Sequence, residues 1–247
     1  MYVLPRLDKE ITKRGLCQTR SQAENYIRLG LVSVDGRVVK KPGFFVDEHS
    51  SVSILGDQYV SRAALKLASI ADQFGLDFRE KTVLDVGSST GGFTDYALQH
   101  GAKKVIAVDV GTDQLHPSLH GDARIELHEK TDIREWASGR GTSKREELDF
   151  ILADVSFISL TKILPSLSTL ASSKTRLIMM CKPQFEAEKS QVNKGVIKNS
   201  KMRRDILKNF ENWLKQNNFI IIDKADSQVA GTKGNVERFY NLRIARG

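Results

Sequence analysis

The 247-residue sequence predicts a doubly wound, mainly parallel α/β sheet preceded by a small α+β domain. Three observations point there. From residue 82 onward, apolar runs of strand length alternate with helical or polar stretches, the pattern of a parallel sheet with helices on both faces. The first turn of that region, "DVGSSTGGF", is Gly-rich and leads into a helix. The opening sixty or so residues instead read as two short helices followed by short strands. Domains usually hold on the order of 100 to 200 residues, and the division is expected at 1–59 and 60–247.

In the first part, Thr19 stands before a helix with Gln22 three residues on, a spacing that satisfies orphan backbone N–H groups. Gly15 and Gly30 lie where helices should end. Ala23, Ile27 and Leu31 recur at i, i+4 and i+8 and predict one buried face, leaving Arg20, Glu24 and Arg28 elsewhere. In "VSVDGRVV", Asp35-Gly36 between alternating valines signals a hairpin. Lys40 and Lys41 continue the basic surface beyond it.

After the connector "LGDQYVSR" comes a helix, "VSRAALKLASIADQF", and then strands expected at 82–87, 104–110, 125–129, 149–156, 175–182, 219–224 and 238–244. No helix separates the last two. They are expected to form a hairpin that gives the sheet an antiparallel edge, with the polar, Gly-rich "SQVAGTKGNVE" as its loop. Residues 138–147 read as an exposed loop. Residues 200–216 form an amphipathic helix whose apolar face includes Trp213, a core residue by its position.

Composition narrows the function. A net charge of +8 favours a polyanionic partner, nucleic acid before an anionic membrane surface. Two cysteines far apart, Cys17 and Cys181, fit reduced thiols in a cytoplasmic protein. His116 and His120 have no acidic or thiol partner at metal-ligand spacing and read as loop residues; no metal is expected. Apolar runs stay far below the roughly 20 residues a membrane helix needs, and the start "MYVLPRLDKE" lacks a signal-peptide core. Neither a membrane nor an obligate protein partner is expected.

The Gly-rich turn points to a nucleotide-like cofactor. Asp85 closes the strand, Gly87, Ser88, Ser89, Thr90, Gly91 and Gly92 form the turn, and Phe93 lies at the start of the helix. Glycines let backbone approach a ligand, and helix-start N–H groups favour an anionic group. A dinucleotide fingerprint would need glycine at 89, where this chain has Ser. The turn resembles motif I of S-adenosylmethionine-dependent methyltransferases. Asp109, about 20 residues on, is then placed to reach ribose hydroxyls. Asp132 and Ile133, after the third strand, stand where this class contacts adenine; a helix N-cap is the structural alternative for Asp132.

Residues at the ends of the fourth and fifth strands should report the acceptor, because ligands bind outside the carboxyl ends of such strands. The fourth strand ends Asp154-Val155-Ser156-Phe157, without the prolines of exocyclic-amine methyltransferases. Methylation at a pyrimidine carbon requires a cysteine nucleophile. Cys181 has no second cysteine to work with and reads as a small buried strand residue. A ribose 2′-hydroxyl must be aligned and must lose its proton as the new bond forms. A lysine serves as base only when neutral, which at about two units below its ordinary pKa near 10.4 requires roughly 3 kcal/mol of differential stabilisation. Two lysines and two acids supply alignment and proton transfer, and Lys66, Asp154, Lys182 and Glu237 offer such a set.

These four match, position by position, the Lys-Asp-Lys-Glu tetrad of FtsJ-like RNA 2′-O-methyltransferases. The N-terminal stretch resembles an S4 RNA-binding domain through Arg6-Leu7-Asp8, Arg14-Gly15-Leu16, Thr19-Arg20-Ser21-Gln22-Ala23 and Val32-Ser33-Val34-Asp35-Gly36. With "VSRAALKL", "DVGSSTGGFTD", "ADVSFISL", "KPQFE" and "GNVERF", the whole chain resembles the TlyA family, described both as haemolysins and as rRNA cytidine 2′-O-methyltransferases. The resemblance implies a Rossmann-like methyltransferase domain, S-adenosylmethionine as cofactor, ribosomal RNA as partner and a flipped cytidine as target. Lys182 is the expected base and Lys66 the aligning group, with the reverse arrangement open. Arg6, Arg14, Arg20, Arg28, Lys40, Lys41, Arg62, Lys189 and Lys194 are the expected RNA contacts. The family's connector, often R-x-W-V, reads Asp57-Gln58-Tyr59-Val60 here. Two rivals accompany this reading: a membrane-active haemolysin, and a non-catalytic RNA-binding or assembly factor.

Overall fold

The computed structural model describes residues 4–17, 19–28, 30–55, 59–139, 147–187, 196–197, 199–229 and 234–245. Lys189 and Lys194, and most of the loop expected at 138–147, lie outside them.

The N-terminal part comprises helices α1 (Leu7–Lys13) and α2 (Arg20–Arg28) and strands β1 (Val32–Val34), β2 (Arg37–Val38) and β3 (Val52–Ile54), with the sheet ordered β2-β1-β3. Thr19 Oγ1 accepts from Gln22 N–H at 3.2 Å, half of the expected cap. Gly15 and Gly30 sit at φ +70° and +75°, and Asp35 and Gly36 turn the hairpin at φ +48° and +77°. Ala23, Tyr26 and Ile27 are fully buried against Leu7 and Ile11.

The larger part runs α3 (Arg62–Phe74), β4 (Thr82–Val86), α4 (Gly92–Gln99), β5 (Lys104–Val108), β6 (Ile125–His128), α5 (Ile133–Gly139), β7 (Phe150–Ala153), α6 (Leu160–Leu170), β8 (Arg176–Cys181), α7 (Pro183–Glu186), α8 (Ser200–Gln216), β9 (Phe219–Asp226) and β10 (Arg238–Ile244). The seven-stranded order is β6-β5-β4-β7-β8-β10-β9, with β6 to β8 mutually parallel. All seven expected strands occur. The reversed strand is β10, which lies one place in from the edge, between β8 and β9. Burial explains that placement: Phe239, Tyr240, Asn241 and Leu242 are buried in succession, whereas β9 alternates with exposed Ile220 and Ile222, as an edge strand should.

Strands buried on both faces divide their side chains between two cores. Leu84 and Val86 pack with α6 and α8, while Val83 packs with α3 and α4. Each such side chain contributes about 1.5–3 kcal/mol by leaving water. Trp213 is half-buried and stacks on Phe219 at 6.2 Å, a core role as expected.

Packing ties the N-terminal part to the larger one. Leu65 of α3 and Val229 join the core formed by α1 and α2. Tyr26 Oη accepts from Tyr59 N–H at 3.3 Å, and Asp95 accepts from Val60 N–H at 2.8 Å.

Candidate active site

The carboxyl ends of β4, β5, β7 and β8 meet in a crevice with two lobes, of about 380 Å³ and 140 Å³, that share Gly87, Ser89, Asp154 and Ser156. Gly87, at φ +80°, lets the first strand end approach the fourth, because a Cβ there would stand 2.9 Å from the carbonyl oxygen of Asp154. At Gly92 a side chain would collide with Ser61, the cap of α3, so the loop and the helix carrying Lys66 close on each other. Ser89 also adopts a left-handed backbone, at φ +46°, and its N–H donates to Asp109 Oδ2 at 2.8 Å.

Asp85 is the loop's buried acid. Thr94 Oγ1 donates to its Oδ2 at 2.7 Å, while Oδ1 and the nearby Ser88 Oγ have no partner among the described residues. Burial pushes the Asp85 carboxyl up to about 7, partly opposed by Thr94 and reinforced by Asp154. A cationic ammonium group and a sulfonium suit such a lobe, and the larger lobe's Ile133, Val155 and Ile158 suit an adenine ring. The residues present thus fit S-adenosylmethionine. Asp109 already binds Gly111 N–H at 2.6 Å besides Ser89, so it organises the loop as well as facing the larger lobe. Asp132 accepts from Arg134 N–H at 2.8 Å and pairs with its guanidinium at 2.6 Å, which holds its carboxyl below the usual range. It is an N-cap and a lobe residue at once. Thr90 lines the smaller lobe with Phe93, and a Cβ at Gly91 would stand 2.5 Å from Leu119 and 2.7 Å from Leu115.

Asp154 and Lys182 line the smaller lobe, and Lys66 and Glu237 form a second pair within electrostatic reach of Asp154. Lys182 Nζ lies 2.6 Å from Asp154 Oδ1 and donates to Ser156 Oγ at 2.7 Å. Lys66 Nζ donates to Glu237 Oε1 at 3.0 Å. All four side chains are less than a fifth exposed. Burial raises the Asp154 carboxyl, against the pull of Lys182 and then Lys66, while Glu237 adds to the rise, so the two pairs share one electrostatic neighbourhood. Cys181 is fully buried, and burial pushes its thiol well above the ordinary range, which leaves it a packing residue.

Two features went unread in the sequence. Ser156 lies in the turn after the fourth strand and anchors the candidate base. Phe157 is 92% exposed, sits at φ +66°, and rests against Phe185 at 5.3 Å. A left-handed backbone on an aromatic residue costs roughly 1–3 kcal/mol and collects at functional sites. The signal available was an aromatic directly beyond a candidate catalytic turn.

The expected RNA contacts divide by what they already hold. Asp8 is fully buried between Arg6, at 2.9 Å, and Arg20, at 2.8 Å. Burial alone would raise Asp8, but the two guanidinium groups hold it down at about 2. Arg14 binds Glu10 at 2.9 Å and the backbone carbonyl oxygen of Ser50 at 2.6 Å. These three arginines brace the small domain while keeping part of their surface in water. Arg28, Lys40 and Lys41 are exposed, and Arg62 is half-buried at the start of α3.

Residues 59–243 match the FtsJ-like methyltransferase family and residues 5–52 match the S4 domain. The chain is 35% identical over 246 residues to the 16S/23S rRNA (cytidine-2′-O)-methyltransferase TlyA of Mycobacterium tuberculosis, covering 96% of this chain and 89% of that one. It is 36% identical over 241 residues to hemolysin A of Brachyspira hyodysenteriae, covering 97% and 100%. A solved structure from Streptococcus thermophilus, described as a candidate hemolysin, superposes with a TM-score of 0.72 at 34% identity, over 99% of this chain and 90% of that one.

Proposed function

Because the chain belongs to the FtsJ-like methyltransferase family, as an S4-bearing member of the TlyA group, we propose that it methylates the 2′-hydroxyl of a cytidine in ribosomal RNA. The convergence of Lys182–Asp154 and Lys66–Glu237 beside a cofactor-shaped crevice carries this reading.

Asp85, Gly87, Ser88 and Ser89 would hold the amino-acid end of S-adenosylmethionine, and Asp109, Asp132 and Ile133 its nucleoside. The bound cofactor supplies an electrophilic methyl group. Lys66, fixed by Glu237, orients the ribose hydroxyl. Lys182, as the neutral amine, takes the hydroxyl proton as the oxygen attacks, and Asp154 stabilises the ammonium that results. Ser156 fixes the direction of the amine. Phe157 offers a face on which a nucleobase can stack once the target has left its helix.

The small domain, with a division from the catalytic one at residues 59 and 60, docks the RNA through Arg6, Arg14, Arg20, Arg28, Lys40 and Lys41, with Arg62 at the junction. Among the described residues no helix is long and apolar enough to cross a membrane.

Transfer of labelled methyl groups to ribosomal subunits, followed by digestion to nucleosides, tests the reading. 2′-O-methylcytidine is expected. A base-methylated nucleoside, or no product at all, would overturn it.

A further inference from the structure

The single turn α7 does more than follow Lys182. Three of residues 182–186 engage the segment between β7 and α6. Lys182 Nζ contacts Asp154 and Ser156, the Phe185 ring packs on Phe157, and Glu186 accepts from Leu160 N–H at 2.8 Å and from the Ser159 hydroxyl. The segment is tied at its start by Asp154 N–H, which donates to Val86 O at 3.0 Å, and at its end by Glu186. Exposed Phe157 lies between those ties.

The source of the cap on α6 is informative. Ser159 caps α6 through Thr161 N–H at 3.1 Å. A local capping box would place the acid three residues on, but that position is Lys162. The acid comes instead from residue 186, on the strand-end turn that carries the candidate base. A cap needed only for helix stability could be local; this one locks two strand-end elements together.

We propose that Glu186 is a positioning residue for RNA: by holding Ser159 and Leu160 it sets Phe157 at the distance from Lys182 that a base stacked beside the target ribose requires. The assignment rests on the rRNA-methylation reading above. Phe157 touches the base, and Glu186 acts through it.

The test is steady-state methyl transfer to ribosomal subunits by Glu186→Ala, Glu186→Gln and Phe157→Ala, alone and combined, with S-adenosylhomocysteine titration of each. Glu186→Ala is expected to raise the KM for RNA roughly tenfold, the scale of one lost stacking contact. Its affinity for S-adenosylhomocysteine should fall by clearly less than its affinity for RNA: Val155 and Ile158 of the same segment line the larger lobe, but Asp85, Asp109 and Asp132 lie outside the segment. Glu186→Gln should rescue, because the amide oxygen still accepts from Leu160 and its N–H groups can donate to Ser159. In the Phe157→Ala background, Glu186→Ala should add nothing.

Multiplying losses in the double variant, or cofactor affinity falling in step with RNA affinity, would overturn the assignment and leave Glu186 a structural cap. If Glu186→Ala does not fold, Ser159→Ala removes one arm of Glu186 together with the Thr161 cap and leaves the Leu160 arm in place. It should raise the KM by roughly threefold in the wild-type background and not at all with Phe157→Ala; no rise in the wild-type background would overturn the assignment. A wild type that moves no methyl group to rRNA would defeat the reaction itself. That result is distinct from active Glu186→Ala protein with an unchanged KM, which defeats only the role of Glu186.

Discussion

Lys66 donates to Glu237 at 3.0 Å across 171 positions of sequence, joining the helix before the sheet to the residue directly ahead of its last strand. Glu237 is 3% exposed, and its Oε2 has no partner among the described residues. Removal of the lysine would leave a buried carboxylate alone, a change that typically costs about 3–5 kcal/mol. Lys66→Ala is therefore expected to unfold at distinctly lower urea than wild type. Lys66→Ala combined with Glu237→Gln should regain most of that stability while staying inactive. Equal midpoints for the single and double variants would show that the pair is not the buried unit described.

Asp85 makes cofactor affinity depend on pH. Its folded pKa of about 7 lies above the ordinary carboxylate value, so its contribution to stability is full below about pH 4 and is lost as pH rises through 7. The ionised form is the one a cationic ligand favours. S-adenosylhomocysteine, which keeps the ammonium, should bind more tightly at pH 8 than at pH 6 and release a proton on binding near neutrality. Calorimetry in buffers of different ionisation enthalpy reads that proton. The pH dependence should vanish in Asp85→Asn, and its persistence there would assign it to another group.

Asp8 predicts the opposite sign in the small domain. Its folded value near 2 lies below the unfolded one, so the stabilisation is present above about pH 4 and disappears as pH falls toward 2. The amount is about 2 kcal/mol. Protection factors of amides in α1 and α2 should fall over that window in wild type, and in Asp8→Asn they should be low already at pH 6. Unchanged protection in the variant would contradict the role given to the Arg6–Asp8–Arg20 cluster.

The fold was legible because each signal was local. Turn residues such as Asp35-Gly36, strand-length apolar runs and the alternation of elements all act over a few residues, and the seven strands and the amphipathic helix at Ser200–Gln216 follow from them. The position of β10 inside β9 depends on which hairpin strand is apolar on both faces, a comparison the sequence offers only once pairing is known. The four candidate residues stand at motif positions in the sequence, but Lys182 binding Ser156 and Glu186 reaching Leu160 are contacts between strand ends that no spacing reveals. The arginines of the N-terminal domain read simply as RNA ligands in sequence, because nothing local showed that Asp8 would be buried between two of them.

Phe157 separates RNA binding from chemistry. Among the described residues its exposed ring packs on Phe185 and is in no hydrogen bond or ion pair of either lysine–acid pair, so Phe157→Ala should raise the KM for RNA roughly tenfold while single-turnover transfer at saturating RNA stays within an order of magnitude of wild type. A loss confined to the chemical step would place the ring in the catalytic arrangement instead.

Lys182 carries the central claim, and methyl transfer measured together with cofactor affinity in Lys182→Ala tests it most directly. Loss of a positioned base costs on the order of 10²–10⁴ in rate, so the account predicts transfer to rRNA lower by at least about a hundredfold with S-adenosylhomocysteine binding retained. Transfer at the wild-type rate, or a loss that merely follows the loss of cofactor binding, would contradict it.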